Sequence, residues 1–536
     1  MRARKILFLQ LPRLDHDAHG QQENVPLAAV YLRHALERSG ERRFHRIVSI
    51  PNADRLDDHR LLAAITRLKP DVIAATLFLW NIERTLDLIR KARRILPKLK
   101  VVAGGPEVAP DHPFLFRSRM ADVAVSGEGE KVFPVILKAL RTGRRCSPPA
   151  HPPAFNLRTD LPPAAYPYNK PDANGMAYLE TTRGCPLRCS YCCYGHRRHA
   201  ISCLLADDVL ERVRVLRRRG AREIRFIDPT FNANPEFRGI IAGLAKLNRD
   251  RRLEFFAELQ ADRITADDAR RLAAANFREI EVGVQSRNLD TLRRIHRPTN
   301  LDRLDRGIRA LARAGILVTV DLMYGLPGQD LNEIRNMLDW AAKLRGIRVQ
   351  CLQTLLLPGT EIRRDRRRFG LRALDRPPYQ VQSTASLSAE ELRRAEALVQ
   401  RKLGIIADCP TRRFVGRELP DLFQRSENRR AMFFKGRNLF ARRLDMAARV
   451  RKAVSAEPNI LWQFVLEPET EEPLDLLDML VAELNRFPPL VSDRFLDMHS
   501  PGKRASRRIM IRLRPGGRYD SSWQEAAEQL LRTHFF

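Results

Sequence analysis

The 536 residues hold no uninterrupted apolar run near the roughly 20 that a membrane-spanning helix needs, so no membrane span is expected. Cysteine is scarce, with eight in the whole chain. That excludes a disulfide framework and points to a cytoplasmic protein. Glycine and proline, 27 and 34 residues, are dispersed, which excludes collagen-like and low-complexity classes. Acidic residues are outnumbered 64 to 95 by Lys and Arg, for a formal charge of +31. Such an imbalance suits nucleic acid, an anionic membrane or an acidic substrate. The charge is diffuse and no basic–aromatic platform stands out, so the plainer reading is a solvated arginine-rich surface. What the chain does have is 44% hydrophobic residues, enough for packed cores and too many for disorder. Met1 to Leu9 begins like a signal peptide, but Gln10, Pro12, Arg13 and Asp15 end the apolar stretch and leave a first strand.

Along the chain, residues 1–145 alternate short apolar strands with helices, as at Ile6–Leu9, Val72–Leu77 and Val101–Ala103. This pattern predicts a doubly wound parallel sheet, an α/β fold whose ligands sit beyond the carboxyl ends of the strands. Gly104 and Gly105, and the Gly127–Glu128 turn, fall at such ends. Residues 146–170 read as a proline-rich linker that few contacts should cross. Residues 171–370 alternate again, in about six strand–helix units, which predicts a partial βα barrel of the TIM type. Residues 371–536 read as an arginine-rich α+β accessory domain.

Four of the eight cysteines fall within residues 185–193, three of them as C-x3-C-x2-C: Cys185, Cys189 and Cys192. Three thiolates on one short loop can hold three irons of a four-iron cluster and leave the fourth iron open. The loop follows the first barrel strand, at the mouth where barrel chemistry is done. Zinc is the rival reading, with Cys193 and His196 as further donors. Cys146, Cys203, Cys351 and Cys409 read as ordinary thiols.

This motif, with Tyr191 before its last cysteine, resembles the radical S-adenosylmethionine (SAM) enzymes. The resemblance implies a [4Fe-4S] cluster on the three cysteines and SAM on the open iron, with adenine near Tyr191. Asp228 and Asn232 stand where a Gly-Gly-Glu segment often binds the SAM amino group. Glu258 and Gln260 would reach the ribose, and Gln285 with Ser286 matches the family's Gly–Gln–Ser strand end. Asp321–Gln329 resembles the next strand end, and Leu355–Thr360 would lie beside adenine. Residues 1–145 resemble the cobalamin-binding domain fused ahead of many of these enzymes, through Val25–Ala28, Trp80 with Asn81, Gly104 with Gly105, and Gly127 with Glu128. An Asp-x-His-x-x-Gly motif for a lower axial histidine is out of register around His16 and His19, so cobalamin held without a protein histidine is expected.

The implied activity is SAM cleavage to a 5′-deoxyadenosyl radical. With cobalamin, this leads to methylation or rearrangement at an unactivated carbon of a small molecule or peptide. The implied electron donor is of the flavodoxin or ferredoxin kind. Two rivals stay open. One is RNA modification or binding, on Arg412-Arg413 beside Phe414 and Arg429-Arg430 near Phe433-Phe434; the other is a noncatalytic iron–sulfur or zinc protein.

Overall fold

The computed structural model describes residues 3–12, 26–149, 151–194, 201–403, 414–417, 429–491, 493–494, 506–515, 517 and 519–535. His16, His19, His196, Cys409, Arg412 and Arg413 lie outside them. No helix among the described residues is long and apolar enough to cross a membrane.

The first unit is a five-stranded sheet of β1 (Arg4–Leu9), β2 (His45–Val48), β3 (Val72–Thr76), β4 (Lys100–Gly104) and β5 (Val123–Ala124). Their order is β2-β1-β3-β4-β5 and every pair is parallel. β3 is buried along nearly its whole length, as a central strand covered on both faces must be. Its apolar run therefore does not alternate.

The second unit is a six-stranded parallel sheet of β6 (Met176–Leu179), β9 (Glu223–Phe226), β10 (Glu254–Leu259), β11 (Phe277–Gln285), β12 (Leu317–Tyr324) and β13 (Arg348–Gln353). Between β6 and β9 lies a two-stranded hairpin, β7 (Thr182–Arg183) with β8 (Ser202–Cys203). Side chains alternate along these strands. Ile224, Phe226, Phe255, Ile280, Val282, Val318 and Val320 pack into the helix-covered core. Phe226, Phe231, Phe255 and Phe277 form its aromatic centre, with ring centroids 4.4 to 5.9 Å apart. The helices carry the expected signals. Ala266–Ala275 starts in a capping box between Thr265 and Asp268 and ends at Asn276 in a left-handed conformation. Gly307 lets Leu301–Arg313 touch the backbone of Ala261, where a Cβ would come within 1.9 Å of a carbonyl oxygen.

Two boundary expectations are corrected. The proline-rich segment is not a bare tether, because Phe155, Leu157, Leu161 and Tyr166 are buried, the first three in the barrel core. Tyr166 also donates to Glu37 at 2.6 Å, and Arg212 donates to the Pro162 carbonyl at 2.8 Å. The barrel unit also runs past residue 370. A small antiparallel pair, β14 (Arg372–Ala373) with β15 (Val381–Ser383), leads into helix Ala389–Leu403, whose Leu392, Ala395 and Val399 join the same core.

The third unit contains β16 (Val415–Gly416), β17 (Arg429–Gly436), β18 (Leu461–Pro468) and β19 (Arg507–Arg512), ordered β16-β19-β18-β17. The α+β expectation is refined here: all pairs are parallel and helices join β17 to β18 and β18 towards β19, which makes an α/β unit. It docks on the first unit. Arg430 pairs with Asp57, Arg494 with Glu83, and Asn459 donates to Asp87 at 2.8 Å. Arg430, read from the sequence as part of an RNA-facing surface, is thus engaged in an interdomain ion pair.

Candidate functional site

The thiol loop grows out of the end of β6. Its base is fixed by Asp228, which is fully buried. One carboxylate oxygen accepts from the Thr181 backbone at 2.7 Å and the other from the Thr181 hydroxyl. Burial pushes this carboxyl up to about 7 despite those bonds. Further along, Ser190 donates its N–H to the Ile295 carbonyl at 2.9 Å, and its carbonyl accepts from Ile362 at 2.9 Å. The loop is therefore stitched to three separate parts of the barrel.

Cys189 is buried, and Cys185 and Cys192 are half-buried. Burial raises the Cys185 and Cys192 thiols, Cys192 to about 12, and the neighbouring cysteines raise both further. Arg297 donates to Cys189 Sγ at 3.5 Å and to the Tyr191 hydroxyl at 3.4 Å, with a further bond to the Gly283 carbonyl. A Cβ at Gly283 would come within 2.9 Å of that guanidinium, so glycine keeps its path open. Three cysteines on one short loop, with a guanidinium beside one sulfur, are a donor set suited to thiophilic iron. Among the described residues, no three His, Cys, Asp or Glu side chains converge on one ion. A four-iron cluster asks for something else, one thiolate on each of three irons.

Below the mouth the lumen is acidic. Glu258 on β10 pairs in register with Glu281 on β11, and Asp321 on β12 shares a hydrogen bond with Glu281 while accepting another from Gln350. Two carboxyls can share such a bond only if one carries a proton. Burial first, and then these neighbours, raise Glu258 to about 7 and Asp321 to about 8. Glu258 keeps an exposed edge at its strand end all the same.

Across the mouth lies a cavity of about 350 Å³ between the two units. The first unit contributes small residues at its strand ends, Ala74, Ala75, Ala103, Gly104, Gly127 and Gly129. The barrel contributes Thr182, Arg183, Cys193, Tyr194 and Pro229. A Cβ at Gly104 would meet nothing within 4 Å. Thr182 is 1% exposed and its buried hydroxyl has no hydrogen-bond partner. An open cradle with an orphaned hydroxyl fits a large ligand entering beyond the strand ends.

The residues expected to contact cofactors divide into two groups. Tyr191, Glu258 and Gln285 gather around the thiol loop and lumen, with the Gln285 amide 2.5 Å from where a Gly283 Cβ would stand. Trp80 is 39% exposed and stacks on Phe78 at 4.6 Å. Others are engaged in holding the backbone. Asn232 donates to the Gln260 carbonyl at 2.9 Å and accepts from the Gln260 N–H at 3.0 Å. Asn81 is fully buried and bonds to Leu11, Thr76 and Phe78 backbone groups. Ser286, also fully buried, donates to Glu333 at 2.8 Å and accepts from Asn288. Gly105 has φ +103° and sits against the Leu77 backbone. Glu128 accepts from the Phe155 N–H at 2.6 Å. Arg297 escaped sequence reasoning because no spacing ties it to a cysteine 108 residues away.

The fold and site together define a radical SAM barrel preceded by a cobalamin-type domain. The Radical SAM superfamily model matches residues 179–341, and the B12 binding domain model matches residues 18–137. The chain belongs to the radical SAM superfamily, among its members with a cobalamin-binding domain. It is 27% identical over 309 residues to 2-(S-pantetheinyl)-carbapenam-3-carboxylate methyltransferase of Streptantibioticus cattleyicolor, covering 50% of this chain and 44% of that one. It is 26% identical over 307 residues to the cobalamin-dependent radical SAM methyltransferase TokK of Streptomyces tokunonensis, with the same two coverages. The chain thus spans less than half the length of either relative. In fold it is similar to the radical SAM methyltransferase TsrM of Kitasatospora setae, solved with cobalamin and a [4Fe-4S] cluster bound, with TM-score 0.55, 18% identity, and coverage of 73% of this chain and 81% of that one.

Proposed function

We propose that the protein is a cobalamin-dependent radical SAM enzyme that methylates or rearranges an unactivated carbon of a small molecule or peptide. The observation that carries the proposal is the thiol loop facing a small-residue cavity across one mouth. Bound there, the cluster and SAM supply a 5′-deoxyadenosyl radical, and cobalamin supplies a transferable methyl group. Cys185, Cys189 and Cys192 hold the iron. Arg297 compensates thiolate charge beside Cys189 and orients Tyr191. Glu258 and Gln285 offer polar contacts to SAM, while Asp228 keeps the loop base rigid. Gly104 and Gly127 leave room for the corrin and its tail, with Trp80 at the neighbouring strand end. The carbapenam in the name of one relative supports a small-molecule substrate. A cytoplasmic setting and a small electron-donor protein, flavodoxin or ferredoxin, complete the reading.

The test is anaerobic purification with iron, sulfide and hydroxocobalamin, followed by a spectrum and an assay for 5′-deoxyadenosine. A brown protein that retains corrin and cleaves SAM is expected. Cys189→Ala should lose iron and cleave SAM at least about 100-fold more slowly. Equal cleavage by both proteins would reject the cluster assignment.

A further inference from the structure

Arg183 lies two residues before Cys185, where the thiol loop leaves the barrel. Its guanidinium joins three carboxylates from two domains. Nε and Nη2 donate to the two oxygens of Glu180, at 2.8 and 2.7 Å, across the end of β6. Nη1 donates to Glu130 at 2.7 Å, in the glycine-rich loop after β5, and Glu128 of that loop stands 3.9 Å away. The guanidinium face lies 4.1 Å over Phe155, which stacks on Tyr31 of helix α1 (Leu27–Glu37). The sheet domain, the proline-rich segment and the barrel thus meet on one side chain that also lines the cavity between them.

The charges make this side chain more than a contact. Without Arg183, three carboxylates with side chains 11% to 20% exposed would face one another, and their repulsion would push the two walls of the cavity apart. Lysine could neutralise part of that charge but could not hold Glu180 by two bonds and Glu130 by a third, because only the planar guanidinium presents donors in a fork.

We propose that Arg183 is a positioning residue that fixes the spacing between the thiol loop and the cobalamin-side wall, with Glu130 as its partner across the domain boundary. Glu180 anchors the guanidinium to the barrel, so cutting the Glu130 bond frees one wall and leaves the cysteine loop in place. The inference rests on the cobalamin-dependent radical SAM reading above.

The experiment uses full-length protein reconstituted anaerobically with iron, sulfide and hydroxocobalamin. Three quantities are read: iron per chain, affinity for hydroxocobalamin, and the electron paramagnetic resonance of cob(II)alamin beside the reduced cluster, whose mutual broadening depends on their separation. Glu130→Gln is expected to keep wild-type iron, bind corrin about tenfold more weakly, and show altered broadening. Glu130→Asp should restore much of the affinity, since it keeps the charge. Arg183→Lys should keep iron and show altered broadening. Wild-type affinity and unchanged broadening in Glu130→Gln would overturn the clamp. Failure of the wild type itself to take up corrin would instead overturn the reading beneath it.

Discussion

The two walls of the cavity are built by opposite means. The barrel wall is a set of functional side chains, each locked by bonds to backbone or to a neighbour: the thiols by Asp228, Ser190 and Arg297, the carboxyls by one another. The sheet wall is a set of missing side chains: a Cβ at Gly104 would open onto empty space, and one at Gly127 or Gly129 would touch its neighbours only at van der Waals distance. One wall holds chemistry and the other holds volume. A side chain lost from the first should therefore harm it, and a side chain added to the second should harm that.

The largest expected loss comes from the barrel side. Asp228→Ala leaves a buried backbone N–H and a buried hydroxyl of Thr181 without acceptors, which costs about 3 kcal/mol at one to two kcal/mol per group. Iron per chain should fall with it, since the loop base is no longer held. Denaturant unfolding and iron analysis report both quantities, and an iron content equal to wild type would show that the loop does not depend on β9. On the sheet side, two adjacent glycines give opposite outcomes. Gly105→Ala places a Cβ 2.6 Å from the Leu77 carbonyl oxygen at φ +103°, and should destabilise by about 2 kcal/mol. Gly104→Leu meets open space in the folded chain, so its unfolding midpoint should stay near wild type while corrin retention drops. If Gly104→Leu binds corrin normally, the cavity is not the cobalamin site.

This contrast also explains what the sequence could reveal. The thiol loop was legible because iron ligation demands one residue type at fixed spacing, and the first parallel sheet because strands buried on both faces carry unbroken apolar runs. Polar residues at strand ends were harder to assign. Asn81, Asn232 and Ser286 sit where cofactor contacts were expected, yet each has its polar atoms engaged by nearby backbone or by Glu333. An amide or hydroxyl at a strand end looks the same in sequence whether it binds a ligand or shapes a turn. The proline-rich segment misled in another way: its prolines pointed to a tether, while Phe155, Leu157 and Leu161 carried the packing. The links from Arg183 to Glu130 and from Arg297 to Cys189 were invisible because each partner comes from a distant segment.

A smaller effect should separate the domains without touching either wall. Glu107 and His112 in the sheet domain meet Tyr379 of the barrel unit, all three buried. His112 Nδ1 accepts from the Leu115 N–H at 3.0 Å, so its proton sits on Nε2 and is donated to Glu107 at 3.1 Å. The Tyr379 hydroxyl donates to the same oxygen at 2.7 Å. Tyr379→Phe removes that second donor and leaves a buried carboxylate with less support, a loss of about 1 to 2 kcal/mol. Calorimetry should then show the sheet domain unfolding earlier. A single unshifted transition would mean that this triangle does not couple the units.

The mildest prediction concerns the acidic lumen and has a definite sign. Free Asp and Glu ionise near pH 4, whereas burial and mutual repulsion raise Asp321 to about 8 and Glu258 to about 7. Between pH 4 and 8 the unfolded chain therefore holds fewer protons than the folded one at these positions, and their contribution to stability falls as pH rises. Below pH 4 both states are protonated and the contribution is fully present; above 8 it is gone. Asp321→Asn abolishes one of these titrations and leaves Glu281 facing an amide in place of a like charge. Urea unfolding of the metal-free protein should show the variant gaining about 1 kcal/mol on wild type between pH 5.5 and pH 8, about a third of the full linkage value because water screens a partly exposed pair. Parallel curves for the two proteins would mean that the Glu281–Asp321 pair carries no shared proton, and that the barrel wall stores no charge repulsion for a ligand to relieve.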